Sequence, residues 1–306
     1  MFDAPVADSL QESPSLAPQP GATATHAALL APRLSLASCI RAYLTRSTLG
    51  ADLSLRQRHN HFPASPYCSI MWIVHGDSTR IRLGDTPLHQ PLTALSFIGS
   101  HTEPCVSVNQ GPAQVFMAIL MPQAVQALTG IDLASLVNRV VPMEEVFGTD
   151  WLAMAQAVQQ ANDDHTRVQL MEAFLEPRWS AVREQVMPRA DRQRYWVEGL
   201  ALRAATSGMG KSLRQMERRI KDWAGLPLRD LRRLTRSEEV FVETRDTYLS
   251  DTATSSPNWA DIASDGGFSD QSHLCRETRR VCGLSPNELK RALKEEESFW
   301  VYRIWD

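Results

Sequence analysis

No stretch of this 306-residue chain reaches the roughly 20 consecutive apolar residues that a membrane-spanning helix needs. The N-terminal stretch Met1 to Pro32 lacks the basic start and long apolar core of a secretory signal. Cys39, Cys68, Cys105, Cys275 and Cys282 are odd in number and contain no C-x-x-C pair. That argues against a disulfide framework or a structural zinc site and fits a reducing compartment. No P-loop, dinucleotide fingerprint or Ser/His/Asp order is evident, so no enzyme activity and no cofactor are assigned. The expectation is a soluble, cytoplasmic protein with no membrane partner.

What is present is uneven in charge. Residues 1–188 hold 11 Lys/Arg against 16 Asp/Glu, residues 189–294 hold 20 against 15, and the last twelve hold 1 against 4. A basic region between an acidic front and a short acidic tail points to a polyanionic partner for that region.

The chain divides into four expected parts. Residues 1–32, rich in Ala, Pro and Ser, are expected to be disordered. Residues 33–188 begin with short β-like runs, Leu53–Gln57, Cys68–Val74, Leu92–Ile98 and Val115–Met121, each bounded by turn residues. Such spacing predicts a β-sandwich or barrel. Helices are expected over Gln123–Leu128, Trp151–Gln160 and Arg167–Leu175, and Glu176–Arg192, with Pro177 and Pro188, reads as the passage to the next domain. Residues 193–294 need no strand and predict an all-α double helix-turn-helix domain. Residues 295–306 form an aromatic tail expected to pack back on the molecule, because an exposed apolar patch of that size is a liability. The fold class expected is therefore α+β.

Within 193–294 two helix–short turn–helix units stand side by side. Ser212 with Gln215 offers an N-cap for one helix, and Gly225 offers its stop. A long helix from about Leu228 to Thr247 follows, spanning roughly 30 Å at about 1.5 Å per residue, close to one turn of DNA. The second unit runs through Gly266-Gly267 to a helix from about Asp270 to Cys282, and Ser285-Pro286-Asn287-Glu288 opens the last helix. In the first unit Leu213, Met216, Ile220 and Trp223 are expected to share the packed face, leaving Arg214, Gln215 and Arg218 outward. In the second, Leu274, Thr278 and Val281 face in, and Ser272, Cys275, Arg276 and Arg279 face out. Arg can fork onto guanine O6/N7 and Gln onto adenine N6/N7. Either helix alone is more plainly read as an ordinary surface helix; two in order, ending in that capping signature, carry more.

The stretch Trp259-Ala260-Asp261-Ile262-Ala263, then Gly266 through Leu274, Arg276, and Gly283-Leu284-Ser285-Pro286 resembles the C-terminal signature of the AraC/XylS family of transcriptional regulators. Ser212 to Ile220 and Trp223-Ala224-Gly225 resemble that family's first recognition helix. The resemblance covers about residues 193–293. It implies base reading by Arg214, Glu217 and Arg218 in the first unit and by Gln271, Ser272, Cys275 and Arg276 in the second, with Arg279 on phosphate. It also implies Ala263, Gly267, Phe268 and Pro286 as structural positions. Thr278 and Lys211 depart from the family's usual apolar residues. The first unit, with Arg214, Arg218, Arg219 and Lys221, and the linker's Arg229, Arg232, Arg233 and Arg236 are expected to supply much of the electrostatic affinity for double-stranded DNA. A homodimer, and RNA polymerase if the protein activates, are the implied partners.

The front half is similar to that family's sensor domains in texture only. His59 and His61 fall on one side of a strand, and with His75, His89, His101 and Glu103 they make a metal site conceivable; a surface role for such a His is the plainer reading. Tyr67, Cys68, Met71 and Trp72 read mainly as core, with a small-effector pocket as the alternative. His59, His61 and Trp72 are thus weak effector candidates. The function expected is a sequence-specific DNA-binding regulator controlled by a small effector or by dimerisation. A cupin-like metal-dependent enzyme fused to a DNA-binding domain is the alternative, and an interaction module without DNA affinity is a third.

Overall fold

The computed structural model describes residues 24–186, 196–206, 212–249 and 258–305. Two antiparallel sheets face each other in the front half. The larger runs β1 (Ala24–Leu30), β2 (Ile40–Gly50), β9 (Gln114–Leu120), β4 (Cys68–His75), β7 (Leu95–Ile98), β10 (Val140–Pro142) in spatial order. The smaller runs β3 (His59–Phe62), β8 (Cys105–Val108), β5 (Thr79–Leu83), β6 (Thr86–Pro91). Helices α1 (Pro122–Thr129), α2 (Thr149–Gln160) and α3 (Asp164–Val186) complete this half. The larger sheet is covered on both faces, so the first six residues of β4 are all buried rather than alternating. On its outer face Trp72 meets Phe116 and donates from Nε1 to the Ala155 carbonyl of α2 at 2.9 Å.

Beyond this sandwich the described chain is helical: α4 (Trp196–Thr206), α5 (Leu213–Ala224), α6 (Leu228–Leu249), α7 (Trp259–Asp265), α8 (Gln271–Cys282), α9 (Pro286–Glu295) and the short α10 (Trp300–Ile304). A β-sandwich with helices followed by an all-helical part is the architecture expected from the sequence.

Three local expectations are corrected. The segment 1–32 is not wholly unstructured, because Ala24–Leu30 forms the edge strand β1 on β2; between Pro20 and Pro32 no proline interrupts the ladder. Leu53–Gln57 is not a strand: a single 3-10 turn lies at Arg56–Arg58. The third helix does not stop at Leu175 but runs through Pro177 to Val186. A proline inside a helix removes a hydrogen bond and costs about 3 kcal/mol. Here buried Leu175 and Trp179 anchor the helix on either side of the proline. Pro188 and Lys211 lie outside the described residues.

The halves are joined through polar and apolar contacts. Ala64 N donates to the Val281 carbonyl at 2.8 Å, at the C-terminal end of α8. Gly225, which ends α5 at φ +76°, lies so close to Leu133 that a Cβ would stand 3.0 Å from the Leu133 side chain. The tail closes the junction: Trp300 Nε1 donates to Asn60 Oδ1 at 2.9 Å, Phe299 stacks on His61 at 4.2 Å, and Arg46 pairs with Glu297 at 2.7 Å. Both α5 and α8 are therefore held at their C-terminal ends by the sandwich, with their N-terminal ends outward.

Candidate nucleic-acid interface

The N-terminal halves of α5 and α8 are built to stand free. Ser212 Oγ accepts from Gln215 N at 3.4 Å, so a side chain replaces the missing helical acceptor. At α8 the N-cap is Asp270, whose Oδ1 accepts from His273 N at 2.7 Å. That bond, with lesser help from Ser269 and Arg276, holds the Asp270 carboxyl below its usual range. In α9 the Ser285/Glu288 capping box is complete. Its Glu288 also lies 3.7 Å from Arg279.

On α5, Arg214, Gln215, Glu217 and Arg218 are all exposed. On α8, Gln271, Ser272, Arg276 and Arg279 are exposed and Cys275 is half-buried. The opposite faces carry the packing: Ile220 and Ala224 in α5, Leu274 and Val281 in α8. Leu213 departs from the expected pattern, at 76% exposure. It occupies the first helical position, beyond the reach of the elements that cover Ile220. Thr278 does face inward, but its hydroxyl donates back to the Leu274 carbonyl at 2.9 Å and it borders a cavity rather than a filled core.

Between the two helices, α6 floors a cleft edged by Glu217 from α5 and by His273, Glu277 and Arg280 from α8. Its 22 residues span about 33 Å at about 1.5 Å per residue. The four α6 cations expected to add affinity do not behave alike. Arg232 is spent on a bidentate pair with Glu198 at 2.8 and 2.7 Å. Arg233 is largely buried between Asp230 at 3.2 Å and Glu277 at 3.7 Å, and burial pulls its guanidinium below the usual range. Arg236 reaches the Gly267 carbonyl at 3.4 Å, whereas Arg229 stands 89% exposed. Arg280, exposed at the cleft, was missed by the sequence pattern; its signal was the Arg279-Arg280 doublet.

A second feature lies behind α8. A cavity of about 200 Å³ runs from between the two sheets to the junction, so its walls include Met117, Phe62, Arg80 and His101 of the sandwich and also Glu238 of α6, Thr278 of α8 and Trp300 of the tail. The weak effector candidates do not line it. Asn60 and Phe62 face the cavity, so by strand alternation His59 and His61 point away. Trp72 lies on the outer face of its sheet, while Tyr67 and Met71 border the cavity. Among the described residues no group of three or more His, Cys, Asp or Glu could hold a metal ion. No described helix is long and apolar enough to cross a membrane.

No protein-family model and no curated protein matches the sequence. Solved structures of ToxT from Vibrio cholerae are similar in outline. One, in a P21 crystal form, is 10% identical over 88% of this chain and 98% of that chain, with a TM-score of 0.35. A complex with (E)-4-(8-methylnaphthalen-1-yl)but-3-enoic acid is 11% identical over 77% and 98%, with a TM-score of 0.34. A complex with an unsaturated fatty acid is 11% identical over 76% and 94%, again with a TM-score of 0.34.

Proposed function

We infer that this protein is a sequence-specific DNA-binding transcriptional regulator of the AraC/XylS type whose paired recognition helices, α5 and α8, enter successive major grooves. The observation that carries this reading is the shared polarity of the two helices. Each is capped by a side chain at a free N-terminus, presents Arg and Gln outward, and is anchored near its C-terminal end by the sandwich, α5 at Gly225 and α8 at the Val281 carbonyl. Arg214, Gln215, Glu217 and Arg218 read one groove; Gln271, Ser272, Cys275 and Arg276 read the next. Arg279, Arg280 and Arg229 meet phosphates, where a cation adds affinity but no sequence information.

Control is assigned to the cavity. A molecule in it touches the sandwich, α6 and α8 together, so filling it changes how the second recognition helix is held. An effector acts this way only through different affinity for the two arrangements. The protein acts as a dimer, and RNA polymerase is a partner if it activates. The experiment is selection of genomic fragments by the full chain at two salt concentrations. A shared motif, recovered more weakly at high salt, supports the reading; uniform weak retention with no motif opposes it.

A further inference from the structure

The inner end of the cavity holds a charge that the protein does not neutralise. Arg80, on β5, is 4% exposed and borders the cavity. Its guanidinium donates to Gln90 Oε1 at 3.1 Å and to the Asn138 carbonyl at 3.3 Å and lies against the Cys105 thiol, whose own ionisation burial disfavours, and Nε has no partner. No carboxylate pairs with it among the described residues. The other charged groups on the cavity wall differ: Arg46 pairs with Glu297, and Glu238 lies 3.5 Å from Arg41. A buried cation without a counter-charge is costly unless something supplies one.

His101 stands at the same end, 7% exposed. Its Nδ1 lies 2.7 Å from the Gly99 carbonyl, which can only accept, so Nδ1 carries the proton. Burial, then the nearby Arg80 cation, push His101 down to about 4, so the ring is neutral at pH 7. Nε2 is then a bare acceptor, buried and without a partner, on the cavity wall. A ligand that satisfies this end brings one anionic oxygen for Arg80 and one hydrogen-bond donor for His101. Leu92, Ile98, Met117 and Val140 line the rest and call for an apolar body.

We propose that the cavity binds a small organic carboxylate that also carries a hydroxyl, with the carboxylate on Arg80, the hydroxyl donating to His101 Nε2 and an apolar body among the aliphatic walls. This rests on the cavity being the effector site. Neither Arg80 nor His101 stands on a recognition helix, so the ligand acts on DNA binding through the walls it shares with α6 and α8.

The test uses the full chain and four probes: mandelate (acid and hydroxyl), phenylacetate (acid only), mandelamide (hydroxyl without charge) and inorganic phosphate. Binding is measured by calorimetric titration, with melting temperature as a second readout. Mandelate should bind one per chain, at least tenfold tighter than mandelamide and phosphate and severalfold tighter than phenylacetate. Arg80→Gln should bring mandelate down to the mandelamide level, Arg80→Lys should retain part of the preference, and His101→Phe should erase only the margin over phenylacetate. If Arg80→Gln does not fold, the wild-type ranking and Arg80→Lys still decide. Equal binding of acid and amide, phosphate binding as tightly as mandelate, or an acid preference that survives Arg80→Gln overturns the proposal. DNA binding is measured in parallel, with and without saturating mandelate. Intact DNA binding without acid preference sinks this proposal alone; acid preference with no DNA binding in either condition sinks the regulator reading alone.

Discussion

The Tyr67 hydroxyl donates to Glu238 Oε2 at 2.8 Å, tying the sandwich to the middle of the helix that joins the two recognition units. Trp305 Nε1 reaches the same carboxylate at 3.1 Å, so sandwich, linker and tail meet on one side chain. Tyr67→Phe is expected to cost about 1.5–3 kcal/mol, the net worth of one hydrogen bond to a charged acceptor. Combined with Glu238→Gln, the losses should fall short of additivity by at least about 0.5 kcal/mol. Urea denaturation of the two single variants and the double variant measures this; strict additivity would show the contact to be energetically idle.

Gly225 combines two constraints, a φ of +76° and contact with Leu133. A side chain in the left-handed region costs about 1–2 kcal/mol before any clash. Gly225→Ala should therefore lower stability by at least about 1 kcal/mol and loosen α5 from the sandwich. Gly283, also in the left-handed region at φ +79°, has only Pro104 nearby at 3.6 Å, so Gly283→Ala should show the conformational cost with little added clash. Comparing the two by chemical denaturation separates conformational strain from contact. Equal losses would argue that Leu133 moves aside freely.

The junction should be acid-sensitive before carboxylates begin to titrate. Burial, then Arg82 and His59, push His61 down to about 4, and His101 is pushed to about 4 as well. Each is neutral in the fold, so between the unfolded value of 6.5 and about 4 the unfolded chain binds protons that the folded chain refuses. Their contribution, on the order of 2–3 kcal/mol each, is fully present above pH 6.5 and is lost as pH falls through that window. Denaturation midpoints at pH 7.5, 5.5 and 4.5 should drop progressively, and His61→Gln or His101→Gln should flatten the dependence. A midpoint unchanged down to pH 4.5 contradicts it.

Trp300 is 4% exposed, beneath the Arg46 guanidinium at 4.8 Å and edge-on to Phe62. Trp300→Ala should cost about 3–5 kcal/mol. Trp300→Phe should cost about 1–3 kcal/mol, because the Asn60 Oδ1 it serves loses its donor in a buried place. Melting curves check both, and a tail deletion that leaves melting unchanged would contradict the packing.

Helix ends were legible in the sequence because they are local. Ser285/Glu288, Gly225 and Gly283 act through neighbours three or four residues away. The outward faces of α5 and α8 followed from 3.6-residue periodicity. What was hidden depends on distant partners. Ala24–Leu30 is a strand because β2 offers an edge. Pro177 stays in a helix because buried neighbours hold it there. His59 and His61 share a side, as expected, but which side faces the cavity is set by the second sheet, and nothing local distinguishes the two. Arg80 carries no sequence motif; only its burial without a counter-ion marks it.

The most direct measurement of the central claim is base-resolved affinity for the selected DNA site with Arg214→Ala and Arg276→Ala. Each variant should lose about 1–3 kcal/mol, chiefly at its own bases, with the two affected positions about one helical turn apart. Arg229→Ala should instead weaken all sequences alike and lower the salt slope by about 1. If both recognition-helix variants weaken every sequence uniformly, or if only one short base segment responds per chain, α5 and α8 do not read successive grooves and the account fails.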